Sequence, residues 1–119
     1  MNNNTKPPLI LLLFLGLASC TKAFISNDEE TTNPITKTIK YNSDVNQIMT
    51  NNCVTCHGGP SPSAGLDLTT YINVRAAALN RNLLERMNNV TAPMPQSGIL
   101  LLSTRQIIDK WKTDGYLEN

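Results

Sequence analysis

The most informative segment of the chain reads Cys53-Val54-Thr55-Cys56-His57-Gly58-Gly59. It places two thiols three positions apart and a histidine directly after the second thiol. The segment holds two of the three cysteines of the chain and its single histidine. The chemistry of the protein is therefore expected to be concentrated here.

The pattern C-x-x-C-H is the attachment signature of c-type haem. The thiols of Cys53 and Cys56 add across the two haem vinyl groups, and His57 offers a ring nitrogen to the iron. Gly58 and Gly59 are expected to let the backbone pass close to the flat macrocycle. The segment thus predicts one covalently attached haem per chain.

Three other interpretations fit the segment less well. A thioredoxin-like redox pair expects a βαβ setting, which the sequence does not indicate. A structural zinc site needs four ligands, and only Cys53, Cys56 and His57 are offered in the folded part. A disulfide, common in exported proteins, explains neither the histidine nor the glycines.

The second axial ligand is predicted to be Met94. A second histidine does not exist, and methionine is the other common partner of histidine in cytochromes. Met49 and Met87 fall on apolar helix faces and are interpreted as core. Met94 lies in Ala92-Pro93-Met94-Pro95, where each residue before a proline is disfavoured from helical dihedrals. An extended, stiff segment is predicted there.

The N-terminus indicates export. An apolar run of nine residues, 9–17, follows Lys6 and is too short to cross a bilayer, which predicts a signal peptide over residues 1–19. Leu17-Ala18-Ser19-Cys20 resembles the bacterial lipobox, which implies that Cys20 becomes the first mature residue and carries lipid. An ordinary signal cut near Ser19 is the alternative. Residues 20–40 are predicted to form a disordered tether, and 41–119 the folded domain.

The charge balance excludes one class of partner. Without Lys6 the chain has nine basic against nine acidic residues, whereas nucleic-acid binding needs a clustered basic surface. No Ser-His-Asp set is available when His57 binds iron, and no paired carboxylates stand outside the tether. The protein is predicted not to be an enzyme.

Four helices and no strands are predicted. The first runs from Ser43, capped by Ser43 or Asn42, to about Asn52, and buries Val45, Ile48 and Met49. The second spans about Thr70 to Leu79, with Ile72, Ala76 and Leu79 on its apolar face. The third spans Asn82 to about Met87, with Leu83, Leu84 and Met87 together. The last helix buries Ile107, Ile108 and Trp111. In this last helix, Ser103 and Gln106 predict a capping box and Gly115 a C-cap.

This order of helix, C-x-x-C-H, Gly-rich loop, Met-Pro loop and Trp-containing helix resembles the class I cytochrome c family, in its small bacterial lipoprotein form. The resemblance covers about residues 41–116. It implies a small all-α fold around one covalently bound haem, with the first and last helices packed together. It also implies a membrane-tethered one-electron carrier of the cell envelope, a monomer whose partners are redox proteins.

Two alternative functions remain open. Without Met94 as a ligand, a five-coordinate haem would suit a gas sensor or a peroxidase. The other alternative is a haem subunit docked in a larger redox complex. Four residues are candidates to meet the haem propionates, with surface exposure as the alternative for each: Tyr71, Arg75, Arg81 and Arg86.

Overall fold

The computed structural model describes residues 34–119, and this part of the chain contains helices and turns but no β-strand. The helices are α1 (Asn46–Asn52), α2 (Tyr71–Asn80), α3 (Leu83–Asn88) and α4 (Leu102–Thr113). A π-helical turn, Tyr41–Val45, runs directly into α1, and a 3-10 turn, Ser63–Gly65, lies between α1 and α2. The predicted all-α class is confirmed for the described residues. None of their helices is long and apolar enough to span a membrane.

The predicted signal peptide, Cys20 and the tether up to residue 33 lie outside the described residues. The last part of the predicted tether is described, and it is packed. Ile39 is fully buried, and its backbone N–H donates to a carboxylate oxygen of Asp114 over 2.8 Å. Ile35 also packs against the core. Packed structure thus begins before the predicted boundary at Tyr41.

The first helical segment begins at Tyr41, ahead of both predicted caps. Its first N–H groups need acceptors, as at any helix start. The C-terminal segment supplies them: the N–H of Tyr41 donates to the Leu117 carbonyl over 2.8 Å, and that of Asn42 to the Glu118 carbonyl over 3.0 Å. A cap from Asn42 or Ser43 was therefore the wrong prediction, because the partner lies at the other end of the chain.

The first and last helices share one core, as the sequence predicted. The π-helical turn contacts α4. Four of the six residues predicted for these two faces are fully buried, namely Val45, Met49, Ile108 and Trp111. The other two, Ile48 and Ile107, are partly buried and pack against the same cluster.

Four aromatic rings join the start and the end of the folded domain. Trp111 is fully buried, with its ring centroid 6.0 Å from that of Tyr41, 6.4 Å from Tyr71 and 4.9 Å from Tyr116. Its indole N–H donates to the Leu117 carbonyl over 2.8 Å. Offset and edge-to-face ring pairs each add to the stabilisation that burial gives. This cluster lies in the part of the core where α4, α2 and the π-helical turn meet.

The buried face of α2 differs from the prediction. Its predicted core residues are exposed, namely Ile72, Ala76 and Leu79, while Val74 and Ala77 are buried. The Tyr71 hydroxyl donates to the Tyr116 carbonyl over 2.9 Å. This bond fixes the rotation of the helix, so that the stripe continuing from Tyr71 faces inward. The predicted start was correct, because the Thr70 side chain accepts from the third residue of the helix.

The buried face of α3 is confirmed: Leu83, Leu84 and Met87 all lie in the core. A polar network ties its C-terminal end to α4. The Asn88 side chain accepts from a guanidinium N–H of Arg105 over 2.8 Å and donates to the Asp109 carboxylate over 3.2 Å. The network fixes the position of α3 against α4.

The start of α4 departs from the predicted capping box. The helix begins at Leu102, so Ser103 lies inside its first turn. The N-cap position is held by Leu101, which has no side-chain oxygen with which to accept a hydrogen bond. The box predicted with Gln106 therefore does not stand at the helix boundary.

The end of α4 follows the sequence prediction. Gly115 has a φ of +89°, the left-handed conformation in which glycine costs least. Its N–H donates to the Lys112 carbonyl over 3.1 Å, and the N–H of Tyr116 donates to the Trp111 carbonyl over 2.9 Å. This pair of bonds is the Schellman motif. It turns the chain so that Tyr116 packs against Trp111.

Candidate cofactor site

A cavity of about 480 Å³ lies beside the C-terminal end of α1. All four residues predicted to contact a cofactor line it: Cys53, Cys56, His57 and Met94. Apolar side chains form much of its walls, among them Leu66, Leu68, Leu83 and Met87. Its volume falls in the range of roughly 300–1,000 Å³ that is usual for cofactor and ligand sites. Folding therefore brings the distant Met94 to the same space as the C-x-x-C-H segment.

The C-x-x-C-H segment is a helical extension of α1. The N–H of Cys53 donates to the Met49 carbonyl over 2.8 Å, continuing the helix pattern. The Cys53 carbonyl then accepts from the N–H of both Cys56, over 3.1 Å, and His57, over 2.8 Å. These bonds wind the segment into one further turn. Because of this turn, both cysteines and the histidine can line the same cavity.

The two cysteines differ in environment. Cys53 is buried and Cys56 is exposed, and both are free thiols. Burial raises the pKa of the Cys53 thiol to about 11. A thioredoxin-like pair needs a thiol whose pKa is lowered, since the thiolate is the attacking species. The environment of Cys53 therefore argues against the thioredoxin interpretation of the segment.

The alternative of a structural zinc site at Cys53, Cys56 and His57 gains no support from the structure. Within residues 34–119, no group of three or more His, Cys, Asp and Glu side chains is arranged to hold a metal ion. The cavity lining offers the imidazole of His57 and the thioethers of Met87 and Met94, beside the two cysteine thiols. Histidine paired with methionine is a donor set that cytochromes use for haem iron.

The imidazole of His57 is oriented by backbone carbonyls. Its Nδ1 lies 3.2 Å from the Ser63 carbonyl oxygen and 3.2 Å from the Leu66 carbonyl oxygen. A carbonyl oxygen only accepts, so Nδ1 carries the proton and donates it. In the neutral ring Nε2 then keeps its lone pair, which is the form required of a metal ligand. The carbonyls around the imidazole thus favour the tautomer that can bind a metal ion.

The role predicted for the two glycines, a close approach to the macrocycle, stays a prediction. Neither is among the residues that line the cavity. Gly58 is required by a close approach elsewhere: a Cβ built on it would lie 2.7 Å from the Val54 carbonyl oxygen and 3.1 Å from a methyl carbon of Thr69. Gly59 has a φ of +75° with open space around it. The glycines thus shape the turn after His57.

A side-chain turn shapes the loop that carries Met94. The Asn89 side-chain oxygen accepts from the N–H of Thr91 over 2.9 Å and from the N–H of Ala92 over 2.7 Å. The N–H of Met94 donates to the Arg86 carbonyl over 2.9 Å, which ties the loop back to α3. The loop bends at Met94, and the Met94–Pro95 peptide is cis. The predicted extended course is therefore wrong, because these hydrogen bonds fold the loop over the cavity.

Two methionines face the cavity. Met94 is half-buried, and Met87, 2% exposed, also lines the cavity from α3. Met49 is fully buried and is not among the lining residues, as its assignment to the core predicted. Met87 is part of the core as predicted, but it also stands at the site. The choice of Met94 over Met87 as a ligand stays a prediction.

Only two charged side chains line the described cavity, and both are arginines: Arg81 and Arg86. The other two sequence candidates lie elsewhere. Arg75 is exposed on α2, and the Tyr71 hydroxyl donates to a backbone carbonyl. An apolar cavity with cations and no carboxylates in its lining suits an apolar cofactor that carries anionic groups.

Other parts of the site gave no signal in the sequence. The carbonyls of Ser63 and Leu66, which hold His57, are backbone groups that every residue type carries. The 3-10 turn that presents them contains Ala64 with a φ of +56°, a conformation that alanine rarely adopts. Arg81 could be named as a candidate from its charge, but its contact with this turn depends on the fold.

Comparisons with known proteins add nothing to this geometry: no protein-family model, no curated protein and no solved structure matches the chain. The function has to be argued from the site. Its free thiols, its histidine tautomer, its thioethers and its two cations all fit a covalently attached haem.

Proposed function

We propose that the chain is a mono-haem c-type cytochrome that carries single electrons in the cell envelope. Haem is attached through Cys53 and Cys56, with His57 and Met94 as the axial ligands of the iron. The helical domain is a small class I cytochrome c fold. A lipid on Cys20 tethers it to a bacterial membrane, facing the periplasm or the cell surface.

The observation that carries the proposal is the convergence on one cavity. A C-x-x-C-H segment recurs by chance in many sequences, but here its three functional side chains line an apolar space. The thioether of Met94, from a remote loop, lines the same space. The Nδ1 contacts of His57 also favour the neutral tautomer in which Nε2 has a free lone pair. Three independent features thus agree with one cofactor.

Each residue has a defined task in this proposal. Bound haem supplies a one-electron couple between ferric and ferrous iron. Cys53 and Cys56 hold it by thioether bonds, so that it cannot dissociate. The walls formed by Leu66, Leu68 and Leu83 exclude water, and low water access is one of the factors that set a haem potential. Arg86, which lines the cavity, is placed to meet its carboxylates.

Electron transfer is favoured over the other functions of a haem by the thioether of Met94 at the cavity. With an axial position taken by Met94, exogenous ligands do not reach the iron readily. No side chain among those lining the described cavity is a carboxylate or a second histidine, the usual acid–base groups. A gas sensor, a peroxidase or a docked haem subunit remain the outcomes that would replace this proposal.

The tether and charge fit the same setting. Diacylated cysteines anchor stably, whereas a single chain binds a membrane only marginally. The mature chain has equal numbers of basic and acidic residues. Two haem carboxylates would make the holoprotein slightly anionic. This balance favours transient encounters with redox partners over binding to nucleic acid.

The test is expression of the full chain in a bacterial host that attaches haem to c-type cytochromes. The purified protein should weigh more than its amino acids and lipid by one haem, and should show a c-type absorption band when reduced. The Cys53→Ala/Cys56→Ala double variant should lose both signals. Cys20→Ser is the matched cysteine control, which should lose the lipid and keep the haem.

A colourless wild-type protein with no added mass would refute the proposal. A haem-bearing protein that takes up carbon monoxide rapidly would refute the electron-carrier role and favour the gas sensor or peroxidase. Stable co-purification with a membrane redox enzyme would favour the docked subunit. Reversible one-electron reduction without gas binding would support the proposed carrier.

A further inference from the structure

The turn that orients His57 is built from residues 63–66, and we call it the histidine-facing turn. Its first and last carbonyls are the two that lie 3.2 Å from Nδ1 of His57. The N–H of Leu66 donates to the Ser63 carbonyl over 3.1 Å, which closes the turn. The position of both acceptors therefore depends on the shape of these four residues.

The middle of the histidine-facing turn is strained at Ala64. Ala64 and Gly65 are exposed, with φ values of +56° and +62°. Glycine adopts this left-handed conformation freely, but alanine does so at a cost because its Cβ crowds the backbone. The N–H of Gly65 donates to the Pro62 carbonyl over 2.9 Å. A further contact at Ala64 from elsewhere in the fold would help to offset its conformational cost.

One side chain makes such a contact. A guanidinium N–H of Arg81 donates to the Ala64 carbonyl over 3.1 Å. Arg81 directly follows α2, and its own backbone N–H donates to the Ala77 carbonyl over 2.9 Å. In residues 34–119, neither recorded ion pair involves Arg81. Its guanidinium is thus directed to the turn from the end of a helix.

We infer that Arg81 is a positioning residue for His57: it holds the histidine-facing turn so that the Ser63 and Leu66 carbonyls accept the Nδ1 proton. This rests on the proposed function, because the imidazole matters here as an iron ligand. The hydrogen bond at Nδ1 fixes the ring and raises the basicity of the ligating nitrogen. Arg81 contacts the turn directly and would thereby act on a bound iron through the turn and the histidine.

The test measures how fast the Nδ1 proton of His57 exchanges with solvent, by NMR on the reduced holoprotein. In Arg81→Ala this exchange should be about tenfold faster, as expected when a hydrogen bond to a charged group is lost. The indole N–H of Trp111 is the internal reference, since it donates within the aromatic cluster. Its exchange should not change, which separates a local effect from general loss of stability.

Two variants separate positioning from charge. Arg75→Ala removes an exposed cation of α2 that does not line the cavity, so the exchange at His57 should stay at the wild-type rate. In the Arg81→Ala background, Ala64→Gly should restore slow exchange in part, because glycine adopts the left-handed conformation without strain. Equal acceleration in Arg75→Ala, or no acceleration in Arg81→Ala, overturns the inference.

A folding failure does not leave the question open. If Arg81→Ala yields no holoprotein, Arg81→Lys keeps the charge and loses the planar fork of the guanidinium. Its exchange should be faster than wild type, and an unchanged rate counts against the inference. Wild-type protein without covalent haem refutes the proposed function and the inference with it, whereas haem with unchanged exchange refutes the inference alone.

Discussion

Replacing Gly58 with alanine perturbs the close contact directly after His57. A Cβ at this position would lie 2.7 Å from the Val54 carbonyl oxygen, 2.8 Å from its side-chain Cγ1 and 3.1 Å from a methyl carbon of Thr69. The side-chain atoms can shift, but the carbonyl oxygen belongs to the backbone of the C-x-x-C-H segment. The substitution must therefore move that segment.

The magnitude follows from the geometry. Overpacking by one methyl group costs about 1–3 kcal/mol, and a fixed backbone oxygen favours the upper part of that range. Alanine returns roughly 0.4–1 kcal/mol because it reduces the freedom of the unfolded chain. The net loss for Gly58→Ala is thus about 2 kcal/mol. In a domain of this size, that corresponds to a fall in Tm of roughly 10 °C.

The matched control is Gly59→Ala. This neighbour has a φ of +75° and no atom within 4 Å of a built Cβ. Its cost is conformational alone, about 1–2 kcal/mol. The reduced freedom of the unfolded chain offsets part of this cost, as at Gly58. Thermal unfolding and the yield of covalent haem measure the pair. The variant at Gly58 should lose more stability and also attach less haem, because it displaces Cys53 and Cys56.

One result would refute this reasoning. If Gly58→Ala unfolds at the wild-type temperature, or loses less stability than Gly59→Ala, the close approach to Val54 does not determine the shape of the segment. The assignment of steric pressure to Gly58 and of conformational freedom to Gly59 would then be wrong.

The remaining predictions concern the sixth ligand and the pH dependence of stability. Met94→Ala should keep the c-type band, lose low-spin character and bind carbon monoxide. Met87→Ala should keep the spectrum and lose about 2–5 kcal/mol of stability. An unaltered spectrum in Met94→Ala would move the ligand to Met87. Burial raises the pKa of Asp44, but hydrogen bonds from the Lys37 side chain, the Lys40 backbone and a neighbouring hydroxyl outweigh it and lower that pKa to about 2. Because the folded pKa lies below the unfolded value of 3.8, the stabilisation is present above about pH 4 and is lost as the pH falls towards 2. Asp44→Asn should cost about 1 kcal/mol at neutral pH, after allowance for solvent screening, and should flatten this acid limb in denaturant titrations; an unchanged limb would contradict the assignment.

The sequence predicted the local features of the fold and missed those that depend on distant partners. Gly115 ends α4 as expected, since a left-handed C-cap is encoded by the glycine itself. The caps proposed at Ser43 and Ser103 were wrong. The start at Tyr41 is set by acceptors from the C-terminal segment, which no local pattern reveals.

The same distinction applies to the face of α2. Ile72, Ala76 and Leu79 have helical spacing, and the spacing predicts that they share a face, which they do. It does not say which face is buried. The hydrogen bond between the Tyr71 hydroxyl and the Tyr116 carbonyl decides that, and it joins residues far apart in the chain.

The candidate site was predicted by residue type, and its orientation was not. Cys53, Cys56, His57 and Met94 carry chemistry that few other residue types offer, so their pattern could be read directly. The groups that orient them are backbone carbonyls and one arginine. The path of the chain determines which carbonyls and which arginine lie at the site. A single sequence does not distinguish these groups from similar groups nearby.

The distribution of apolar contacts suggests how cofactor binding and folding depend on each other in this protein. The aromatic cluster around Trp111 packs one side of the core and includes no residue of the cofactor site. On the other side, Leu83 and Met87 are shared between the core and the cavity wall. Small domains gain much of their stability from a bound cofactor, because their own core buries too little apolar surface. Under the proposed function, haem therefore stabilises chiefly α3 and the Met94 loop. The aromatic contact between the start and the end of the folded domain can form before haem is attached.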